Sequence, residues 1–150
     1  MVEMMNEQNG TKPLNILLVE DDDGDAKAVK RTFTKARIAN PIIRAIDGVE
    51  ALELMRGENG HEKLRAPYLL LVDLNMPRMD GIEFVKELRK DPEFSKTVVF
   101  ILTTSKNEED KTKAYELNVA GYIVKETAGQ DFLNLVDLVQ SYWRIVELPE

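Results

Sequence analysis

The stretch YLLLVDLNMPRMDG, residues 68–81, places an acid at the end of a strongly apolar run. Tyr68 to Val72 shows no polar alternation, which is typical of a central strand buried on both faces of a parallel sheet. Asp73 follows where this strand leaves the core. Ligands of open parallel sheets bind beyond the carboxyl ends of the strands, so Asp73 is well placed for chemistry. A helix-cap or turn aspartate is the alternative that this position alone leaves open.

Composition and charge narrow the class of protein. With 150 residues, 43% of them hydrophobic, the chain can form one globular domain with its own core. The absence of cysteine excludes disulfides and thiolate metal sites and fits a reducing compartment. No apolar stretch reaches membrane-spanning length and the N-terminus lacks a signal peptide, so we expect a cytoplasmic protein without a membrane partner. The net charge of −7 argues against nucleic acid as a partner.

Five apolar runs alternate with five amphipathic segments along the chain. We predict strands over Asn15–Val19, Ile42–Ile46, Tyr68–Val72, Thr97–Leu102 and Gly121–Val124. We predict helices over Asp25–Ala36, Val49–Arg56, Ile82–Lys90, Glu108–Leu117 and Gln130–Ile145. This alternation indicates an α/β fold with a parallel sheet covered on both faces. Residues 1–13 are polar and unpatterned, and we expect them to form a flexible tail.

Polar and charged residues follow four of the predicted strands. Glu20 and Asp21 follow strand one, Asp73 follows strand three, Thr103 follows strand four and Lys125 follows strand five. The carboxyl ends of parallel strands form one edge of the sheet. We therefore expect three acids, a hydroxyl and an ammonium to converge on one surface site.

A cluster of three carboxylates requires a positive counter-charge. Two carboxylates about 5 Å apart repel by roughly 3 kcal/mol at an effective dielectric of about 20. Oxygen ligands without nearby His or Cys suit Mg²⁺ or Mn²⁺, together with phosphate oxygens. For Glu20 and Asp21 we favour this metal role. For Asp22, Asp23 and Asp25 we favour an acidic helix start, with Asp22 or Asp23 as the cap.

Four segments resemble the bacterial response-regulator receiver domain: ILLVEDD at 16–22, LLLVDLNMPRMDG at 69–81, VVFILTTS at 98–105 and AGYIVK at 120–125. Four segments in this order and strand context are a specific signal. The resemblance covers about Asn15 to Trp143. It implies a doubly wound, flavodoxin-like (βα)5 fold with strand order 2-1-3-4-5. We expect residues 14–146 to form the receiver domain and residues 147–150 a C-terminal tail, and we expect no output domain because so few residues follow Trp143.

The resemblance also assigns the phosphorylation chemistry. Asp73 would attack the phosphohistidine of a histidine kinase and become an acyl phosphate. Asp21 would bind Mg²⁺ directly, Glu20 would act mainly through metal-bound water, and Asn75 would offer its backbone carbonyl. Lys125 would pair with Asp73 and then with a phosphoryl oxygen. Such a protein signals, and it catalyses only its own phosphorylation and dephosphorylation.

A conformational switch is implied by the same family. Thr103 would hydrogen-bond a phosphoryl oxygen, and the backbone amide of Thr104 would assist. Tyr122 occupies the position of the aromatic residue that reorients with this hydroxyl. A half-buried strand tyrosine is the alternative for Tyr122. One departure is Glu126, which stands where receivers usually have proline, so we expect a trans Lys125–Glu126 peptide bond.

Partners are implied by finer features of the chain. The insertion at 56–66, the LTTS segment and the SYWRIVELP segment at 141–149 resemble single-domain regulators associated with phytochrome-type histidine kinases. The output would pass to a downstream target protein or a phosphotransfer protein. Homodimerisation through the last two helices and strand five is also implied, with Tyr142, Trp143 and Ile145 suited to an interface. Packing of the last helix on its own sheet is the alternative.

Two other functions compete with the receiver interpretation. A phosphohydrolase of the haloacid dehalogenase type also uses an aspartate after a strand, but it needs a second acid two residues later, where this chain has Asn75. A receiver-like binding module that is never phosphorylated is disfavoured by the complete acid, threonine and lysine set. His61, the single histidine, lies in a polar segment that we interpret as a solvated loop rather than a phosphodonor site.

Overall fold

The computed structural model describes residues 14–35, 37 and 40–125. The two predicted tails, the predicted helix Gln130–Ile145 and the Lys125–Glu126 peptide bond lie outside the described residues. No helix within the described residues is long and apolar enough to cross a membrane.

Five strands and four helices alternate along the described chain. The strands are β1 (Asn15–Val19), β2 (Ile42–Ala45), β3 (Tyr68–Val72), β4 (Val98–Thr103) and β5 (Gly121–Val124). The helices are α1 (Asp23–Lys35), α2 (Gly48–Arg56), α3 (Gly81–Lys90) and α4 (Glu108–Glu116). Each predicted element in this part of the chain is confirmed, with boundaries that differ by at most two residues.

Three boundary differences have local causes. Strand β2 ends before Ile46 because the amide of that residue donates to the Glu50 side chain, 2.9 Å away. Strand β4 begins after Thr97, whose amide donates to Phe94 in the preceding turn. At its other end β4 includes Thr103, which pairs in register with Val124. Thr103 is therefore the last residue of the strand rather than the first residue after it.

The sheet has the order β2-β1-β3-β4-β5 and every neighbouring pair is parallel. This confirms the doubly wound α/β fold and places β1 and β3 side by side at the centre. Apolar side chains of these two strands alternate between two cores. One core contains Leu17, Val19, Leu70 and Val72 with residues of α2, α3 and α4, and the other contains Ile16, Leu18, Leu69 and Leu71 with residues of α1.

Candidate functional site

Asp73 is held rigidly where β3 ends. Its backbone amide donates to the Val19 carbonyl at 3.0 Å, and its Oδ1 accepts the Leu74 amide at 2.8 Å. The residue is 8% exposed. Because one carboxylate oxygen is occupied by the backbone of its own loop, the other oxygen is the one that faces the remaining site residues.

The loop after Asp73 folds back tightly onto the strand end. The amide of Gly81, the first residue of α3, donates to the Leu74 carbonyl at 2.9 Å. A Cβ atom at Gly81 would lie 2.3 Å from the Asp73 carbonyl oxygen. Only glycine fits this approach, so Gly81 fixes the path of the loop that carries Asn75. Asn75 itself is exposed.

Three acids from the ends of β1 and β3 converge as predicted. Glu20, Asp21 and Asp73 each offer one carboxylate oxygen, and these oxygens lie within 4.8 Å of one another. Glu20 is 1% exposed, whereas Asp21 is exposed to solvent. Hard oxygen donors at this spacing fit Mg²⁺ or Mn²⁺, and a solvent-facing side leaves room for the waters and phosphate oxygens that Mg²⁺ retains.

The electrostatics of Glu20 follow from this crowding. Burial and the nearby charge of Asp73 raise its pKa to about 7, although hydrogen bonds from Lys125 and from the Asp22 amide oppose the rise. A carboxyl group with such a pKa binds a proton readily near neutrality, and a divalent cation would compete for the same oxygens.

Lys125 supplies the positive charge of the cluster. Its Nζ donates to Glu20 and, at 3.0 Å, to Asp25, and it lies 3.6 Å from the nearer Asp73 oxygen. Burial lowers the pKa of Lys125, but its bond to Glu20 and the charge of Asp73 outweigh burial and leave the pKa raised. The predicted pairing with Asp73 is thus one of three carboxylate contacts made by this ammonium.

The acidic helix start divides into separate roles. Asp22 caps α1, because its Oδ2 accepts the Asp25 amide at 2.7 Å, as predicted. Asp23 pairs with Arg44 at 2.6 Å. Asp25 lies in the first turn of α1, as predicted, and it also accepts a hydrogen bond from Lys125. The position of Asp25 in the first turn of α1, at the edge of the sheet where the acids lie, was a weak indication that it belongs to the site. The sequence gives no indication that its partner is Lys125, 100 residues later.

Thr103 and Tyr122 are linked through Ser105. The Thr103 hydroxyl is fully buried and accepts the Ser105 amide at 3.3 Å, and the Tyr122 hydroxyl donates to the Ser105 carbonyl at 2.9 Å. Ser105 also donates to Asp110 at 2.7 Å. Thr104, which lies between Thr103 and Ser105 in the chain, is exposed at the same edge of the sheet. No local pattern in the sequence indicates Ser105, because its role depends on contacts with other strands and helices.

A third buried carboxylate lies beyond the end of β2. Asp47, 2% exposed, caps α2 by accepting the Glu50 amide at 2.9 Å. It also accepts two hydrogen bonds from Arg78, at 2.7 and 3.0 Å. Burial raises the pKa of Asp47, but the Arg78 and backbone hydrogen bonds outweigh burial and lower it below its usual value. Arg78 belongs to the loop after Asp73, so this pair fastens the loop to α2.

His61 lies in the segment between α2 and β3, as the sequence indicated. Its ring is half-buried, however, and Nε2 lies 3.9 Å from a carboxylate oxygen of both Glu50 and Glu53 on α2. The side chain thus packs against a helix rather than pointing freely into solvent.

Comparison with known proteins identifies relatives along nearly the whole chain. A family model described as the response regulator receiver domain matches residues 16–137. Response regulator Rcp1 of Synechocystis sp. is 35% identical over 147 residues, which cover 97% of this chain and 99% of that protein.

Solved structures agree with this match. The phosphorylated cyanobacterial phytochrome response regulator RcpA has a TM-score of 0.81 at 30% identity, and the match covers 93% of this chain and all of that chain. The Mn²⁺-bound form of Rcp1 has a TM-score of 0.78 at 34% identity, with the same coverage. The fold, the acid cluster and these relatives therefore point to one family.

Proposed function

This chain belongs to the response-regulator receiver family of two-component signalling proteins, and from that premise we propose that Asp73 is its phosphoacceptor. The observation that carries the proposal is the convergence of Asp73 with Glu20, Asp21 and Lys125 at one edge of the sheet. A carboxylate oxygen of Asp73 would form a bond to phosphorus as the bond to the kinase histidine nitrogen breaks. The other ring nitrogen of the phosphohistidine would carry a proton, so the histidine would leave as a neutral imidazole and Asp73 would become an acyl phosphate.

The acid cluster would hold Mg²⁺ or Mn²⁺. Glu20, Asp21, Asp73 and the backbone carbonyl of Asn75 are the ligands we propose, with Glu20 acting mainly through a water molecule. When bound, the ion supplies positive charge that offsets the negative charge on the transferring phosphoryl group. The Mn²⁺-bound form of Rcp1, a relative at 34% identity, supports this assignment.

Side chains of this chain would neutralise and orient the phosphoryl group. Lys125 lies 3.6 Å from Asp73 and can transfer one hydrogen bond to a phosphoryl oxygen. The hydroxyl of Thr103 and the backbone amide of Thr104 are the proposed donors to a second oxygen. Phosphoryl transfer depends on such positioning and charge stabilisation, so no further acid or base is required of the protein.

The catalysis of this protein would be limited to its own phosphorylation and dephosphorylation. Its partners would be a histidine kinase and a downstream target or phosphotransfer protein. RcpA, a phytochrome response regulator that is 30% identical to this chain, supports a phytochrome-type kinase as the partner. A homodimer through β5 and the two last helices remains part of the proposal, and β5 does form one edge of the sheet.

The phosphoacceptor assignment is tested by intact-mass measurement after incubation with Mg²⁺ and a small phosphodonor. We expect wild type to gain one phosphoryl group and Asp73→Asn to gain none. Asp91→Asn, a charge-matched variant at the C-terminus of α3, should be phosphorylated like wild type. An unmodified wild type would indicate an inert binding module, and release of many phosphates per protein would indicate a phosphohydrolase.

The switch would run from Thr103 through Ser105 to Tyr122. If the Thr103 hydroxyl moves to a phosphoryl oxygen, its bond from the Ser105 amide must change, and Ser105 in turn holds Tyr122. We expect Thr103→Val to accept phosphate yet lose the change in Tyr122 ring resonances that phosphorylation causes in wild type. Thr34→Val, on the exposed side of α1, is the matched control. A full change in the Thr103→Val protein would refute this route.

A further inference from the structure

Arg44 on the edge strand β2 reaches the loop that carries two of the proposed metal ligands. It pairs in register with Leu18 of β1, and its side chain is 20% exposed. Its Nε donates to the Glu20 backbone carbonyl at 2.9 Å, and its Nη1 donates to the Asp23 carboxylate at 2.6 Å. One guanidinium therefore bonds the chain on both sides of Asp21, at Glu20 in the β1–α1 loop and at Asp23, the first residue of α1.

The position of Asp21 depends on this backbone. Asp21 is exposed, whereas the residues that flank it are fastened: Glu20 through its carbonyl and Asp22 through its cap on α1. The Asp22 amide also donates to the Glu20 side chain at 3.2 Å. A shift of the loop would therefore move both the Glu20 and the Asp21 carboxylates.

A purely structural role explains Arg44 poorly. Its Nη2 is buried and has no hydrogen-bond acceptor among the described residues. A buried donor without an acceptor is unfavourable for folding. The N–H groups that are bonded reach Glu20 at one end of the acid-bearing loop and Asp23 just beyond its other end, so the side chain acts chiefly on the path of that loop.

We propose that Arg44 is a positioning residue for the divalent cation: it holds the β1–α1 loop so that Glu20 and Asp21 face the ion. The inference rests on the proposed metal role of these acids. The fork of the guanidinium can bond a carbonyl and a carboxylate at fixed spacing, which the single ammonium of lysine cannot reproduce.

Charge and geometry predict opposite effects when Arg44 is replaced. As a cation, Arg44 repels a divalent ion, so its removal would tighten metal binding if charge dominated. As a positioning residue it prepares the ligands, so its removal would weaken binding. Arg44→Lys keeps the charge and loses the fork, whereas Arg44→Gln loses both.

The test is Mn²⁺ binding to the unphosphorylated protein, measured by calorimetry. Partners outside the first coordination shell typically contribute 10-fold or more to metal affinity. We expect both Arg44→Lys and Arg44→Gln to raise the Kd about 10-fold. The control Arg31→Gln, an exposed arginine of α1, should bind like wild type. The Mg²⁺ concentration for half-maximal phosphorylation by a small phosphodonor should rise in the same proportion, with less effect on the rate at saturating Mg²⁺.

The outcomes distinguish the role of Arg44 from the proposed metal site. Unchanged binding in Arg44→Lys, or tighter binding in Arg44→Gln, would overturn the positioning role; if Arg44→Gln does not fold, the lysine variant alone decides. Asp21→Asn reports on the proposed function separately. Wild type that binds no Mn²⁺, or an Asp21→Asn variant that binds normally, would refute the metal site itself rather than the role of Arg44.

Discussion

Glu20 and Asp47 make an instructive pair, because they are two buried carboxylates at the same edge of the sheet with opposite electrostatics. Glu20 follows β1 and Asp47 lies beyond the end of β2, and they are 1% and 2% exposed. The pKa of Glu20 is raised to about 7, whereas the pKa of Asp47 is lowered. Both side chains are shielded from solvent, but burial is the largest cause of the raised pKa of Glu20, whereas at Asp47 hydrogen bonds outweigh the effect of burial.

The groups that surround each acid add to this difference in desolvation. Asp47 accepts two hydrogen bonds from Arg78 and one from the Glu50 amide, and together these stabilise its charge. Glu20 shares the one ammonium of Lys125 with Asp73 and Asp25. A carboxylate satisfied by fixed donors serves the fold, whereas one that lacks sufficient counter-charge is prepared to bind a cation or a proton.

The largest effect should come from removing the charge of Glu20. In metal-free buffer at pH 8 we expect Glu20→Gln to raise the free energy of unfolding by about 2 kcal/mol, since each pKa unit corresponds to about 1.4 kcal/mol and the variant loses part of its bond with Lys125. Denaturant titration measures this change. The same variant should bind Mn²⁺ more weakly.

The gain in stability that we expect for Glu20→Gln should depend on pH. The folded pKa of about 7 lies above the ordinary value of 4.5, so the folded state retains a proton that the unfolded state releases. Wild-type stability should therefore fall as pH rises from about 4.5 to 7, and Glu20→Gln should flatten this slope. A Glu20→Gln protein that is less stable than wild type at pH 8 would show that Glu20 is a structural acid like Asp47.

The next effect concerns Asp47. We expect Asp47→Ala to lower the free energy of unfolding by about 1–2 kcal/mol, because α2 loses its cap and Arg78 loses its partner. Asp47 has a lowered pKa, so its contribution is present above its ordinary value of 3.8 and is lost as pH falls through the folded pKa. Mn²⁺ affinity should change far less than in Glu20→Gln. If Asp47→Ala loses as much Mn²⁺ affinity as Glu20→Gln, the proposed difference in role between Asp47 and Glu20 is wrong.

The smallest effect should come from the partner of Asp47. Arg78 is more than half exposed, so solvent screens its charge, and Asp47 keeps the Glu50 amide when Arg78 is removed. We expect Arg78→Gln to destabilise the protein less than Asp47→Ala in the same denaturant titration. Lys63→Gln, which removes an exposed ion pair with Glu93, is the control and should have the least effect. If Arg78→Gln lowers the free energy of unfolding more than Asp47→Ala does, the pair serves mainly to hold the loop after Asp73 rather than to cap α2.

Much of the fold was predictable from local pattern. Continuous apolar runs identified the strands. Glu20, Asp21, Asp73 and Lys125 could then be placed together, because each follows a strand and all parallel strands end at one edge of the sheet. Thr103 was assigned one residue beyond its strand, since its pairing with Val124 is not visible in the local pattern.

Other contacts were not predictable. Asp25 meets a lysine 100 residues away, and Arg44 reaches a carbonyl 24 residues earlier in the chain. Ser105 joins two strands through its backbone. None of these residues carries a periodicity or motif that names its partner.

The sequence by itself determined the α/β class and the edge of the sheet at which the acids and Lys125 meet, because hydrophobic period and strand direction are local properties of the chain. Only the tertiary structure decided which buried acid is satisfied and which is not. The charge state of a carboxylate depends on the donors and charges within a few ångströms, and those come from residues far apart in sequence. Glu20 and Asp47 differ because burial raises the pKa of Glu20 more than its shared partner Lys125 lowers it, whereas hydrogen bonds from Arg78 and the backbone outweigh burial at Asp47.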